Sequence, residues 1–130
     1  MLAVAVEELL ERARARLERI DPREAAAAVG EGAVLIDIRA DSQRARDGVV
    51  PDALYIPRNV LEWRCDPDSR WRVAEASDPE RRVIVMCDEG YQSSLAAAVL
   101  QDLGLPHATD LIGGFQAWRE AGLPVAPLAD

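Results

Sequence analysis

The chain begins with apolar positions that repeat at the period of a helix. Between Val4 and Ile20 apolar residues recur every three or four positions, with Glu and Arg between them. This stripe predicts an amphipathic N-terminal helix. A second, short helix is predicted over residues 21–30, because Asp21 supplies an N-cap, the next residue is proline, and Gly30 lies where a helix would end.

Four short apolar runs further along the chain predict strands. They are residues 33–38, 53–56, 83–86 and, more weakly, 108–112. The segments between them have helical spacing and suit helices at residues 43–47, 60–64, 93–103 and 115–121. Short buried strands that alternate with helices predict an α/β domain. We expect a mostly parallel sheet of about four or five strands, with helices on both faces and the N-terminal helix as an addition.

The composition and net charge of the chain indicate which kinds of binding partner are to be expected. The 130 residues suit one domain, and 49% hydrophobic with 29% charged residues is typical of globular proteins. A formal net charge of −8 repels phosphate backbones and anionic lipids, so neither nucleic-acid nor membrane partners are expected. No apolar run approaches the roughly 18–20 residues that span a bilayer, and residues 1–11 lack a signal-peptide pattern. We therefore expect a cytoplasmic protein.

The chain has two cysteines, Cys65 and Cys87. They are too few and too far apart for a disulfide framework or a Cys-x-x-Cys site, so reduced thiols are expected. Glycine-rich nucleotide motifs and clustered His/Cys metal spacings are absent from the sequence, and no metal or cofactor is predicted. Cys65 lies in a polar segment and is interpreted as a structural thiol, the alternative being a resolving thiol.

Cys87 directly follows the apolar run 83–86 and precedes a short loop and an alanine-rich helix. A thiol at the carboxyl end of a strand, facing a helix N-terminus, is stabilised as the nucleophilic thiolate by free backbone N–H groups and the helix dipole. The alternative is a buried structural thiol. The loop amides are the candidate binding groups, and they belong to Asp88, Glu89, Gly90, Tyr91, Gln92 and Ser93.

This loop resembles the active-site loop of the rhodanese-like family of sulfurtransferase domains. Its Cys-x-x-Gly-x-Arg-Ser pattern is matched by Cys87, Gly90 and Ser93, whereas Gln92 stands where arginine is frequent. Asp37 and Arg39 are similar to the family's Asp-x-Arg segment.

Two further segments carry the resemblance. Residues 48–53 are similar to the family's Gly-His-Ile-Pro-Gly-Ala pattern, with Val49 replacing histidine and Asp52 replacing the second glycine. Residues 111–124 are similar to its closing Leu-x-Gly-Gly-x-x-x-Trp…Gly-x-Pro pattern. The resemblance covers about residues 20–125, so we predict an N-terminal extension over 1–19 and a rhodanese-like domain over 20–130.

The resemblance implies a sulfurtransferase in which Cys87 carries sulfur as a persulfide. Its partners would be a small-molecule or protein-borne sulfur donor and a thiol or other nucleophilic acceptor. Related chemistries are disfavoured, because a Cys-x5-Arg phosphatase needs arginine where Ser93 stands, and the single histidine, His107, follows Pro106 in a predicted turn. The alternative function is a non-catalytic rhodanese-like module that binds or regulates a partner.

Three expectations concern the surroundings of the thiol. Asp88 and Glu89 place negative charge beside it, which predicts that thiosulfate is a poor donor. Asp37 and Arg39 are expected to order neighbouring loops by charge-assisted hydrogen bonds rather than to act in catalysis. The extension is expected to lie outside the catalytic domain, so that its removal spares the chemistry, and its apolar stripe to pack on the domain or on the same helix of a second copy, forming a homodimer.

Overall fold

A computed structural model describes residues 3–129. Within that range the chain forms six α-helices and four strands. The helices are α1 (Val6–Ala15), α2 (Pro22–Gly30), α3 (Asp41–Asp47), α4 (Leu61–Cys65), α5 (Gln92–Asp102) and α6 (Gly114–Glu120). The strands are β1 (Val34–Asp37), β2 (Leu54–Tyr55), β3 (Val83–Met86) and β4 (Ala108–Asp110). Short 3₁₀ turns lie at Arg58–Val60 and Ala74–Ala76.

The four strands form one parallel sheet in the order β2-β1-β3-β4. The register places Ile36 of β1 beside Val85 of β3, and Val85 beside Asp110 of β4. All carboxyl ends therefore meet at one edge of the sheet, where the segment after β3 carries Cys87. This arrangement confirms the predicted α/β class and parallel sheet.

Helices cover both faces of the sheet, as the continuous apolar strands predict. Ile36 and Val85 belong to a core with α4 and α5, to which α5 contributes Ala96, Ala97 and Leu100. Leu35 and Ile84 point to the opposite core, which contains Ala25 of α2 with Phe115 and Trp118 of α6. Because both faces of β1 and β3 are buried, neither strand shows alternating polarity.

Several element ends differ from the sequence expectation, the largest difference being in α1. The predicted N-terminal helix ends at Ala15, five residues before the predicted end at Ile20. Ile20 is buried instead, and it makes a parallel bridge with Leu111 at the edge of the sheet. Strand β2 is only two residues long, because pairing along the sheet edge extends no further than Leu54 and Tyr55.

The N-terminal extension packs on the domain's own surface. In α1 the side chains of Leu10 and Ala13 are buried, whereas Val6 and Leu9 remain 65% and 46% exposed. Beyond the end of α1, Arg16 donates to the Ala98 carbonyl at 3.2 Å and binds Asp102 of α5 at 2.5 Å. The predicted boundary between residues 19 and 20 stays a prediction, and residues 1, 2 and 130 lie outside the described range. No helix within residues 3–129 is long and apolar enough to cross a bilayer.

Candidate active site

The Cys87 thiol lies in a cradle of backbone N–H groups. Strand β3 ends at Met86 and α5 begins at Gln92, so the loop between them wraps around the sulfur. The Cys87 Sγ accepts hydrogen bonds from the Gly90 N–H at 3.2 Å and the Ser93 N–H at 3.4 Å. The residue is 6% exposed. This geometry favours an anionic sulfur, because fixed N–H dipoles and the N-terminus of α5 point toward it.

Close contact between two glycine turns shapes this loop. Gly90 has φ +88°, and a Cβ built on it would lie 2.7 Å from the Gly113 nitrogen. On the other side, a Cβ on Gly114 would lie 2.5 Å from the Cys87 carbonyl oxygen. The turn at Gly113 and Gly114 starts α6, and the Phe115 N–H then donates to the Cys87 carbonyl at 2.9 Å. The glycine pair therefore positions the thiol loop as well as turning the chain.

A fully buried carboxylate holds the start of α5. The Asp110 Oδ2 accepts hydrogen bonds from the hydroxyls of Ser93 at 2.7 Å and Ser94 at 2.8 Å. Arg19 donates to Asp110 through Nε at 2.9 Å and Nη2 at 3.3 Å. The sequence analysis missed Asp110, although a charged residue inside the apolar run 108–112 was a signal that could have drawn attention to it.

Two arginines of the extension also reach the thiol loop. The Gly90 carbonyl accepts hydrogen bonds from Arg14 at 2.8 Å and from Arg19 at 3.0 Å. Arg14 donates in addition to the Ser94 hydroxyl at 3.1 Å. Sequence reasoning did not identify these residues, because no local pattern connects them to a loop more than 70 positions away.

The predicted binding residues have different surroundings. The amides of Gly90 and Ser93 donate to the sulfur, whereas the side chains of Glu89, Tyr91 and Gln92 are exposed around the loop. The Asp88 carboxylate is partly buried and accepts a hydrogen bond from the Gln116 side chain at 3.0 Å. The roles of Asp88, Glu89, Tyr91 and Gln92 in binding stay predictions.

Asp37 and Arg39 form the structural pair that their spacing predicts. Arg39 donates to both Asp37 carboxylate oxygens, at 3.0 and 2.9 Å, and to the Gly48 carbonyl at 2.9 Å. Its guanidinium carbon lies 3.8 Å from the centre of the Phe115 ring. The pair is buried and joins the ends of β1, α3 and α6, so it orders the framework under the loop.

The remaining candidates lie apart from the cradle. Cys65 is fully buried, and desolvation, with a smaller contribution from Glu62, raises the pKa of its thiol to about 12, which suits a structural role. His107 is exposed just before β4 begins, at the amino edge of the sheet, opposite the Cys87 edge. Among residues 3–129, no cluster of His, Cys, Asp or Glu side chains is arranged to hold a metal ion.

Two proteins with similar sequences are named as sulfurtransferases. A sulfurtransferase of Allochromatium vinosum is 32% identical over 95 residues, which cover 73% of this chain and 79% of that protein. The thiosulfate sulfurtransferase GlpE of Pseudomonas savastanoi is 31% identical over 102 residues, covering 78% of this chain and 87% of that protein.

A solved structure and a family pattern complete the comparison. The structure is that of a Rhodopseudomonas palustris protein of unknown function, described as a possible tyrosine phosphatase. It matches with a TM-score of 0.87 and 29% identity over 97% of each chain, so the similarity includes the N-terminal helix. The sequence pattern of the Rhodanese-like domain matches residues 21–121. The chain thus belongs to the rhodanese-like domain family and is related to its sulfurtransferases.

Proposed function

We propose that this protein is a sulfurtransferase that carries sulfane sulfur as a persulfide on Cys87. The observation that carries the proposal is the pair of backbone N–H groups, from Gly90 and Ser93, that bind the Cys87 Sγ at the N-terminus of α5. These groups stabilise the negative charge of a thiolate and, after transfer, of a terminal persulfide sulfur. Sulfurtransferase relatives support the same reaction class.

The reaction needs two displacements and no general base. In the first, the Cys87 thiolate attacks the outer sulfur of the donor, the new S–S bond forms, and the donor leaves with the electron pair of the broken bond. In the second, a nucleophilic acceptor such as a thiolate attacks the outer persulfide sulfur, and Cys87 leaves as the thiolate. An exposed His107 at the opposite sheet edge is consistent with this chemistry.

Phosphatase chemistry fits the site poorly. A Cys-x5-Arg loop grips phosphate through a guanidinium, and the corresponding position here is Ser93. The Ser93 hydroxyl is neutral and already donates to the buried Asp110 carboxylate, so it does not replace that guanidinium. The site therefore does not support the phosphatase activity suggested for the Rhodopseudomonas palustris relative.

The charges near the loop favour donors other than thiosulfate. Asp88 and Glu89 carry negative charge next to the nucleophile, and Gln92 is neutral. Two arginines that could have balanced this charge have other contacts: Arg58 binds Glu62 at 2.8 Å, and Arg64 donates to the Trp71 carbonyl at 3.2 Å. A protein-borne persulfide or a neutral or cationic thiol compound is the partner that this balance suits.

Persulfide loading tests the proposal. After incubation with a sulfur donor, the mass of the protein should increase by one sulfur atom, about 32 Da, and peptide mapping should place the adduct on Cys87. Cyanide should then release thiocyanate. Cys87→Ser should abolish both signals, whereas the matched control Cys65→Ser should retain them. A wild-type protein that neither gains sulfur nor releases thiocyanate would instead support the non-catalytic binding module, which the acidic loop favours.

Two expectations from the sequence also stay proposals. The exposed Val6 and Leu9 of α1 suit a homodimer in which these residues meet the same helix of a second copy. Light scattering on the wild type and on Leu9→Glu tests this, since the substitution should halve the mass of a dimer. The proposed cytoplasmic location is based on the two free cysteines and on the lack of a signal-peptide pattern in residues 1–11.

A further inference from the structure

Residues that precede the matched family pattern donate hydrogen bonds to the thiol loop. The pattern begins at residue 21, yet Arg14 and Arg19 both donate to the Gly90 carbonyl. Gly90 is also a residue whose N–H binds the Cys87 sulfur. The extension is therefore connected to the nucleophile through a single loop residue.

Arg19 makes a second connection to the same sulfur. It binds both carboxylate oxygens of Asp110. Asp110 in turn accepts a hydrogen bond from the hydroxyl of Ser93, and the Ser93 N–H is the second donor to the Cys87 sulfur. Each of the two N–H donors thus belongs to a residue that Arg19 holds, directly at Gly90 and through Asp110 at Ser93. Arg14 supports the arrangement through Gly90 and Ser94.

Charge gives Arg19 a further effect on the nucleophile. The Asp110 side chain is fully buried, and that of Arg19 is 17% exposed. Without Arg19, the Asp110 carboxylate would repel the negative charge of a Cys87 thiolate, and solvent would screen this repulsion poorly because Asp110 is buried. The other charged groups at the loop are Arg14, Asp88 and Glu89, and Asp88 in turn lies near Arg46 and shares the Gln116 amide with Asp47.

We propose that Arg19 is a positioning residue for the Cys87 thiolate: it fixes the two N–H donors and neutralises Asp110. Arg19 thus makes the N-terminal extension part of the active site. This differs from the sequence expectation that removal of the extension spares the chemistry. The inference rests on the proposed function for its biological meaning, but it is tested on thiolate reactivity, which does not require sulfur transfer.

The test measures the alkylation rate of Cys87 by iodoacetamide across a pH series, in a Cys65→Ser background. Arg19→Gln should slow alkylation about tenfold near neutral pH and move the midpoint of the profile upward by about one pH unit. Arg19→Lys, which keeps the charge, should lie nearer to the wild type. The matched control is Arg16→Gln, which removes contacts of the extension with α5 but none with the loop.

A second variant keeps the test decisive if Arg19→Gln does not fold. Arg19→Gln combined with Asp110→Asn removes both charges together and isolates the contribution of loop positioning. This pair should still alkylate severalfold more slowly than the wild type. A folded single or double variant with the wild-type profile overturns the proposal. Because a wild type that transfers no sulfur would leave these alkylation results unchanged, failure of the proposed function is distinguishable from failure of this inference.

Discussion

Alanine at Gly90 should damage the site far more than alanine at another glycine of similar conformation. Gly90 has φ +88° and Gly122 has φ +76°, so alanine is strained at both positions by about 1–2 kcal/mol. At Gly122 the added Cβ would meet no atom within 4 Å. At Gly90 it would lie 2.7 Å from the Gly113 nitrogen. Gly122→Ala therefore serves as a matched control for backbone strain.

The steric conflict at Gly90 sets the size of the functional effect. Ordinary contact begins at 3.4 Å, so the loop must shift by about 0.7 Å away from Gly113. The Gly90 N–H bond to the Cys87 sulfur is 3.2 Å long, and a shift of that size would lengthen it to as much as about 3.9 Å and weaken it. A hydrogen bond to a charged group contributes about 1.5–3 kcal/mol, so losing about half of that contribution predicts a roughly 3- to 10-fold fall in thiolate reactivity.

Two assays separate the strain from the loss of the thiol cradle. Urea unfolding should show both variants destabilised, with Gly90→Ala the more affected. Cys87 alkylation and persulfide loading should fall only in Gly90→Ala. If the two variants lose equal stability and Gly90→Ala reacts at the wild-type rate, the loop does not depend on this close contact and the reasoning fails.

Three further outcomes are expected. Asp88→Asn with Glu89→Gln should raise kcat/KM for thiosulfate by lessening charge repulsion, and unchanged steady-state kinetics would mean that neither carboxylate acts at the site. At pH 8 iodoacetamide should label Cys87 but spare Cys65, whose thiol pKa is raised to about 12 by burial, until urea exposes it; peptide mapping of native and unfolded protein checks this. A hydrogen bond from the Glu24 N–H lowers the pKa of Asp21 below its ordinary value of 3.8. The ionised Asp21 side chain should therefore stabilise the fold above pH 3.8, and this stabilisation should be lost as the pH falls below that value. Asp21→Asn does not titrate, so its free energy of unfolding should lack this pH dependence.

The parts of the fold that the sequence predicts well are those with local signals. Strand β3 has the predicted bounds, because a strand buried on both faces appears as an unbroken apolar run ending at Cys87. The cap of α2 is also as predicted, with the Glu24 N–H donating to the Asp21 side chain at 2.9 Å. In both cases neighbouring residues carry the whole pattern.

The parts that the sequence could not predict depend on distant pairs. Arg14 and Arg19 lie among other arginines of a helix-like segment, and nothing in their spacing distinguishes them from the solvent-exposed Arg12. Their partner, the Gly90 carbonyl, is a backbone atom with no residue-type signal. The helical apolar pattern runs from Val4 to Ile20 in the sequence, but pairing with Leu111 at the edge of the sheet determines the conformation of Ile20.

The placement of positive charge bears on how the proposed site, which has an acidic rim, would stabilise a thiolate. Arg39 is bound to Asp37 beneath the loop, and Arg14 and Arg19 bind the Gly90 carbonyl behind it. Arg14 and Arg19 therefore act on the loop directly through hydrogen bonds, whereas Arg39 acts on the framework that supports it. By contrast, the family position where arginine is frequent holds the exposed, neutral Gln92. Under the proposed function, stabilisation of the nucleophile is thereby separated from attraction of an anionic donor, and we expect the thiolate to react best with partners that bring no negative charge of their own.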